Sequence, residues 1–256
     1  MSTYAILYED DYLLVINKPS GVIVNRADTV TTQTVQDWVE NKFKIQPIRQ
    51  AQDKNSKFKV EDSDFLSRSG IVHRIDKETS GCLIIAKDSE SFYSLQTAFK
   101  ERTIKKSYVA LVHGFLVPKS GEINAPIARL PWNRERFGVV PAGKEAHTAY
   151  QVVDYYVDAK QERYTYVKLF PTTGRTHQLR VHLKYLGFPI CGDYLYAGRK
   201  QQRKDRLWCP RVFLHAAEIS FPHPKNKEMV AVTAPMTPDL QKVLTLLQKT
   251  QPESMV

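Results

Sequence analysis

Two stretches set the architecture: Thr148–Val157, TAYQVVDYYV, and Tyr164–Phe170, YTYVKLF. Apolar and polar residues roughly alternate along both, which is the signature of strands with one buried and one solvated face. Further strands are predicted on either side, at Cys82–Ala86, Tyr108–His113 and Val212–Phe221. The opening reads as a hairpin, Tyr4–Tyr8 and Tyr12–Ile16, turned by Glu9-Asp10-Asp11. Helices fit between these strands. Thr34 caps a short one with Val35, Trp38 and Val39 on one face. Asp88 and Ser89 cap a second, with Phe92, Leu95 and Phe99 facing inward. Thr176–Leu186 reads as a third, with Leu179, Leu183 and Leu186 inward and Gly187 ending it. Thr237-Pro238-Asp239 starts a last helix through Leu240, Val243, Leu244 and Leu247. Strands outnumber helices and often follow one another, so the expected class is α+β with a mixed, mainly antiparallel β-sheet and flanking helices. With no repeat and no clear linker, residues 1–256 are expected to form a single domain. Within it, a basic insertion is expected at about 42–70; residues 42–59 carry six Lys or Arg against one Asp and almost no periodicity.

Composition narrows the function. With 37 Lys and Arg against 27 Asp and Glu, the formal charge is +10. That excess points to a polyanionic partner, because each base that neutralises a phosphate releases a counterion. Cys82, Cys191 and Cys209 cannot all pair and show no CxxC spacing, so they read as reduced thiols of an intracellular protein. No apolar run approaches the ~20 residues that span a bilayer, and the N-terminus lacks the basic n-region of a signal peptide. A cytoplasmic protein with no membrane contact is expected, a monomer by default.

Two segments concentrate polar groups beside chain breakers. The first is His73-Arg74-Ile75-Asp76-Lys77-Glu78-Thr79-Ser80-Gly81, leading into the strand at 82–86. A carboxylate flanked by Arg and Lys stays ionised and suits a nucleophile or base, although an Asp closing a turn is the commoner occurrence. The second is Thr173-Gly174-Arg175-Thr176-His177-Gln178-Leu179-Arg180-Val181-His182, where a strand gives way to a helix N-terminus that favours anions. Arg180 lies one step round from the inward Leu179, at the edge of the buried face. An Arg there needs a partner, and Asp76 is the natural carboxylate, whether the pair is functional or purely structural. Two basic clusters stand beside aromatics: Lys100, Arg102, Lys105 and Lys106 lead into Tyr108, and residues 199–206 lie between Tyr194 and Tyr196 on one side and Trp208 on the other. Bases beside rings make the composition of a nucleic-acid surface, or else of a solvated face. Nucleotide loops (GxGxxG, GxxxxGK[ST]), the HExxH metal pair and the GxSxG elbow are all missing, so no cofactor and no metal is indicated.

Across nearly its whole length the chain resembles the RluA family of RNA pseudouridine synthases. ILYEDDYLLVINKPSG (6–21) is similar to that family's first strand pair and NKPSG turn. HRIDKETSGCLIIAK (73–87) is similar to its catalytic motif, with Ile75 where Leu is usual. KKSYVALVHG (105–114), TGRTHQLRVHL (173–183), CGDYLYA (191–197) and FLHAAEISFPHP (213–224) are similar to its later motifs in order, with Ala197 where many members have Gly. The resemblance implies the pseudouridine synthase fold with a central catalytic cleft, and an isomerase that acts on uridine in rRNA or tRNA without a cofactor. It implies Asp76 as the catalytic aspartate, Arg180 as its salt-bridge partner, and Tyr108 as the ring against the target base. Arg74 would help expel the target nucleotide, with His73, Arg175 and His177 beside it as substrate-binding residues. The similarity begins at Ile6, so no preceding S4 RNA-binding domain is expected. A catalytically silent RNA-binding protein is the competing class, disfavoured because binding alone has no need of a paired carboxylate facing phosphates.

Overall fold

A computed structural model describes residues 4–27, 30–44 and 63–251. They fall into two compact units, Met1–Ile104 with Glu218–Ala234, and Lys105–Ala217 with Pro235–Val256.

The first unit opens with the predicted hairpin, β1 (Ala5–Glu9) and β2 (Leu13–Lys18), paired antiparallel from Ala5↔Asn17 to Glu9↔Leu14. Asp10 closes its turn, since one carboxylate oxygen accepts the N–H groups of Tyr12 and Leu13. Helix α1 (Val35–Phe43) starts at a capping box in which Thr34 and Asp37 satisfy each other's backbone N–H. Helix α2 (Ser63–Arg68) follows, holding Phe65 in the core. Of the basic insertion expected at about 42–70, residues 45–62 lie outside the described residues. Strand β3 (Ser80–Ala86) runs antiparallel to β2, and all seven of its residues are buried. Helix α3 (Ser89–Lys100) is capped by Asp88, whose side chain accepts the Ser91 N–H, and it lays Phe92 and Leu95 against Leu13, Val15 and Ile84.

In the second unit, β4 (Lys105–His113) pairs antiparallel with β9 (Arg163–Pro171), and β9 with β8 (His147–Val157), which carries a bulge between Val152 and Asp154. These last two are the alternating stretches, and burial alternates along β9 as the sequence predicts. The sequence does not announce β5 (Ser120–Asn124), which borders one half of β8, or the separate hairpin of β6 (Ile127–Leu130) and β7 (Asn133–Val139). These strands are short and largely polar, so periodicity has little to act on. Helices α4 (Gln178–Tyr185) and α5 (Arg199–Asp205) follow. Strand β10 (Leu214–Pro222) starts in this unit and ends in the first one, where Glu218–Pro222 pair antiparallel with β11 (Met229–Thr233). Helix α6 (Pro238–Thr245) buries Leu240 and Val243, and β12 (Gln248–Thr250) pairs with the other half of β8. The ladders described are all antiparallel and helices flank them, which is the predicted class.

All three cysteines are buried thiols. Among the described residues, no helix is long and apolar enough to cross a membrane.

Candidate active site

In the first unit, residues 72–79 form a loop whose ends are held and whose middle is presented. His73 is turned inward: its Nε2 accepts the Ile84 N–H at 3.0 Å, and its ring lies 4.9 Å from that of Phe99. Arg74 is exposed, Ile75 is buried and Asp76 is half-buried. The Asp76 carbonyl accepts the Thr79 N–H at 3.1 Å, closing a turn around the carboxylate-bearing residue. Beneath the turn lies Lys18, fully buried. Its ammonium donates to the carbonyls of Pro19 and Val22 at 2.8 Å each and of Lys77 at 3.1 Å. The Gly21 N–H reaches the same Lys77 carbonyl at 2.8 Å. A buried cation with three donors thus ties the NKPSG turn to the backbone next to Asp76, because a desolvated ammonium must spend its hydrogen bonds. His73 serves here as an acceptor for β3, which holds the start of the loop against that strand.

In the second unit, the turn from β9 into α4 is organised by Gln178. Its amide oxygen accepts from the Thr173 hydroxyl at 2.8 Å and the Arg175 N–H at 3.0 Å, while its NH2 donates to the His147 carbonyl and the Thr148 hydroxyl, each at 3.0 Å. The amide's capacity is thereby used in full. The helix starts two residues later than the leucine spacing predicts, because His177 takes a left-handed conformation at φ 56° and acts as the cap residue. Arg175 is half-buried and donates from Nε to the Glu145 carbonyl at 3.0 Å. The Nδ1 of His177 lies 2.9 Å from the Tyr196 hydroxyl, which also accepts the Phe137 N–H at 3.0 Å. That hydroxyl therefore has its own proton to give to His177.

Arg180 is more deeply placed than the edge position the sequence implies, at 4% exposure. Its Nε and Nη2 donate to the two carboxylate oxygens of Asp193 at 2.7 and 2.8 Å. The rings of Tyr194 and Tyr196 stand 5.8 and 5.1 Å from its guanidinium carbon. Asp193 is the carboxylate neighbour of Arg180 that sequence reasoning does not single out; its signal is the Gly-Asp within CGDYLYA. Tyr108, on β4 of the same unit, is half-buried against the core. Lys106 shares its face of the strand, two residues away. Burial pushes the Lys106 ammonium down to about 8, and its Nζ lies 3.4 Å from the Thr173 carbonyl.

Of the aromatics beside the second basic cluster, Tyr196 is buried and offers no face for stacking, Trp208 is half-buried and packs edge-on against Tyr164 at 5.2 Å, and Tyr194 is exposed. The cluster itself forms α5, with Arg199, Lys200, Arg203, Lys204 and Arg206 exposed and Asp205 buried as the anchor. Asp205 accepts from His113 Nε2 at 2.9 Å, the Gly192 N–H at 2.8 Å and Gln201 at 2.9 Å. Burial raises its carboxyl, and the bonds from His113, Gly192 and Gln201 outweigh that and hold it below the ordinary value. Among the described residues, no three His, Cys, Asp or Glu side chains converge as a metal site would require.

The frame is antiparallel α+β; its first unit carries a half-buried carboxylate on a locked loop, and its second an arginine held in an aromatic and acidic box. Comparison makes the class specific. Residues 12–185 match the family model described as RNA pseudouridylate synthase. The chain is 37% identical over 248 residues to the ribosomal large subunit pseudouridine synthase C of Vibrio parahaemolyticus, covering 96% of this chain and 70% of that protein. It is 35% identical over 244 residues to an uncharacterized RNA pseudouridine synthase of Bacillus subtilis, covering 95% and 73%. Among solved structures it is similar to human RNA pseudouridylate synthase domain containing 1, with a TM-score of 0.71 and 27% identity over 99% of this chain and 91% of that one. The chain belongs to the RNA pseudouridylate synthase family, in keeping with the RluA-type motifs of its sequence. It is therefore an isomerase that converts uridine in RNA to pseudouridine.

Proposed function

We propose that the protein isomerises specific uridines of ribosomal or transfer RNA through Asp76, and that residues 1–256 act as one catalytic domain, as a cytoplasmic monomer. The observation that carries this is the HRID loop at 73–76, locked from beneath by Lys18, in a chain 37% identical to a ribosomal large subunit pseudouridine synthase. That relative's name favours ribosomal RNA. In the reaction the N1–C1′ bond breaks, the base turns, and C5 bonds to C1′ while its proton leaves and N1 takes one up. Atoms and electrons balance without an oxidant or a leaving group, so no cofactor is called for.

A base inside a stack cannot be reached, so it must be extruded at a cost of a few kcal/mol. Arg74, exposed on the loop, would fill the place left behind, and Tyr108 would offer its ring to the extruded uracil. Asp76 would attack C1′ or remove the proton from C2′, with Arg180 holding and aiming its charge. Arg175 and His177, at the start of α4, would bind phosphate.

RNA labelled with tritium at C5 of uridine and lacking the modification tests the reading. Wild type should release tritium to water, and Asp76→Asn should release none while binding the RNA within about threefold of wild type, since only a charge is lost. Equal release by the two would remove Asp76 from the mechanism. Tight binding with release by neither would make the protein a silent RNA binder.

A further inference from the structure

We propose that the β6–β7 hairpin carries a binding site for an unpaired nucleobase of the substrate RNA, other than the target uracil. The indole of Trp132 is its stacking face, and Arg129, Arg134 and Arg136 are its phosphate contacts. The site deepens the function above and rests on RNA being the substrate.

The hairpin has a fixed root. Ile127, Phe137 and Val139 pack with Ala146, Val181, Leu195 and Tyr196. The Phe137 N–H donates to the Tyr196 hydroxyl at 3.0 Å, and Ile127 and Lys144 exchange backbone hydrogen bonds at 2.9 Å each. The tip is different. Strands β6 and β7 form a two-stranded sheet of their own, joined by Pro131 and Trp132. Asn133 shapes the turn by accepting the Glu135 N–H at 3.1 Å. Pro131, Trp132, Arg134 and Glu135 are all exposed, Trp132 at 79%. An indole left so far in water adds little to folding, because apolar surface stabilises only where it is buried. It stands where a flat ligand can reach it.

The charge around the ring selects that ligand. Residues 129–136, RLPWNRER, hold three arginines against one glutamate. The guanidinium of Arg129 lies 5.1 Å from the Phe137 ring, and its Nη1 donates to the Arg134 carbonyl at 2.8 Å, which ties the two sides of the tip together. Among the described residues no carboxylate pairs with any of the three arginines, and the Arg136 Nε has no acceptor. A π face among guanidiniums that lack acidic partners matches single-stranded RNA, whose unstacked base offers a ring and whose flanking phosphates offer charge. A docked protein would instead surround its anchoring Trp with apolar contacts that keep water out. Along the hairpin the exposed neighbours of Trp132 are Pro131, Arg134 and Glu135. The base that reacts needs an enclosing pocket, which a ring 79% exposed does not supply.

The experiment compares full-length wild type, Trp132→Ala and Trp132→Phe. The probes are single-stranded oligoadenylate, which contains no uridine, and an RNA duplex. Two quantities are read: the Kd for each RNA and the quenching of tryptophan fluorescence on binding. Of the three tryptophans, Trp38 is buried and Trp208 half-buried, so the exposed indole of Trp132 should dominate the quench. In Trp132→Ala the Kd for oligoadenylate should rise about 10-fold, the loss of one base stacked on a ring. The Kd for the duplex should stay within about twofold. Trp132→Phe keeps an aromatic face, so its oligoadenylate Kd should lie within about threefold of wild type while the quench disappears.

An oligoadenylate Kd unchanged by Trp132→Ala would overturn the proposal and leave protein docking as the use of this ring. An equal loss of affinity for the duplex would overturn it too, because the ring would not then read an unpaired base. Should Trp132→Ala fail to fold, Trp132→Phe still decides, and a quench that persists there would overturn the proposal. On unmodified ribosomal RNA labelled with tritium at C5 of uridine, Trp132→Ala should raise KM with kcat unchanged, the mark of binding energy shared by ground and transition states. A loss confined to kcat would overturn the site as one of binding. If wild type released no tritium, the functional reading would fail separately, and the oligoadenylate Kd and quench would still decide whether Trp132 stacks on a base.

Discussion

At Gly192, a single missing side chain makes room for the box around Arg180. A Cβ there would lie 2.1 Å from the Arg211 carbonyl oxygen, and φ is +75°, a left-handed value that side chains disfavour. That carbonyl cannot retreat easily, because the Arg211 side chain is buried and bonded to Thr237 and Asp239. Gly192→Ala should therefore cost at least about 3 kcal/mol, combining backbone strain with overpacking, read as a lowered urea midpoint. Gly174 makes the contrast: its φ is not left-handed and nothing lies within 4 Å of a built Cβ, so it is not sterically required. Arg180 could be placed on the buried side from its step beside Leu179, because helix geometry is local. Asp193 could not be named as its partner, because a turn at Gly187 intervenes and which carboxylate meets a guanidinium is settled by tertiary structure. His73 was legible as special, but only the fold shows that its Nε2 accepts the Ile84 N–H.

Among the elements, α4 couples the polar turn before it to the core behind it. Gln178 hands a hydrogen bond to Thr148, Thr148 gives its proton to Nδ1 of His182, and the His182 Nε2–H reaches the Ala125 carbonyl at 2.9 Å. Only a neutral imidazole fits that chain. Burial first, and His147 nearby as a second cationic group, lower the His182 pKa below its ordinary value. The unfolded chain then takes up a proton at a pH where the folded one does not. Stability from this group is complete above the unfolded value near 6.5 and is lost as pH falls below it, by up to about 1.4 kcal/mol per unit. Urea unfolding at pH 7 and pH 5 should show the loss, and His182→Gln should reduce the difference. Depressed Asp groups such as Asp10, held down to about 2, act only at lower pH. Periodicity found nearly every helix with a leucine or aromatic stripe, and caps at Thr34 and Asp88 were correct because a cap is a local bond. It failed where composition is silent about direction: Tyr196 beside a basic run has the same sequence whether its ring faces solvent or, as here, the interior.

For the whole molecule, the excess of +10 and its concentration on α5 carry a testable consequence. Changing Arg199, Lys200, Arg203 and Lys204 together to Gln should weaken RNA binding and flatten its logarithmic salt dependence by about 3, at ~0.7 for each single-strand phosphate no longer neutralised. Thermal stability should barely move, because these side chains are exposed while Asp205, which anchors the helix, is untouched. The fold class was legible because alternation in residues 148–170 leaves an antiparallel sheet as the natural reading. The division into two units was not, because it depends on where β10 leads and not on any linker. That division has a consequence in time. Leu13, Ile84 and Phe92 are covered in part by Ile219, Phe221 and Val232, which belong to the returning segment Glu218–Ala234. Translation proceeds from the N-terminus at about 5–20 residues per second, so the 114 residues from Ile104 to Glu218 take roughly 6–23 s to make. Throughout that interval the nascent first unit holds an incomplete apolar core on the ribosome, and a chaperone that shields such surfaces has its client there.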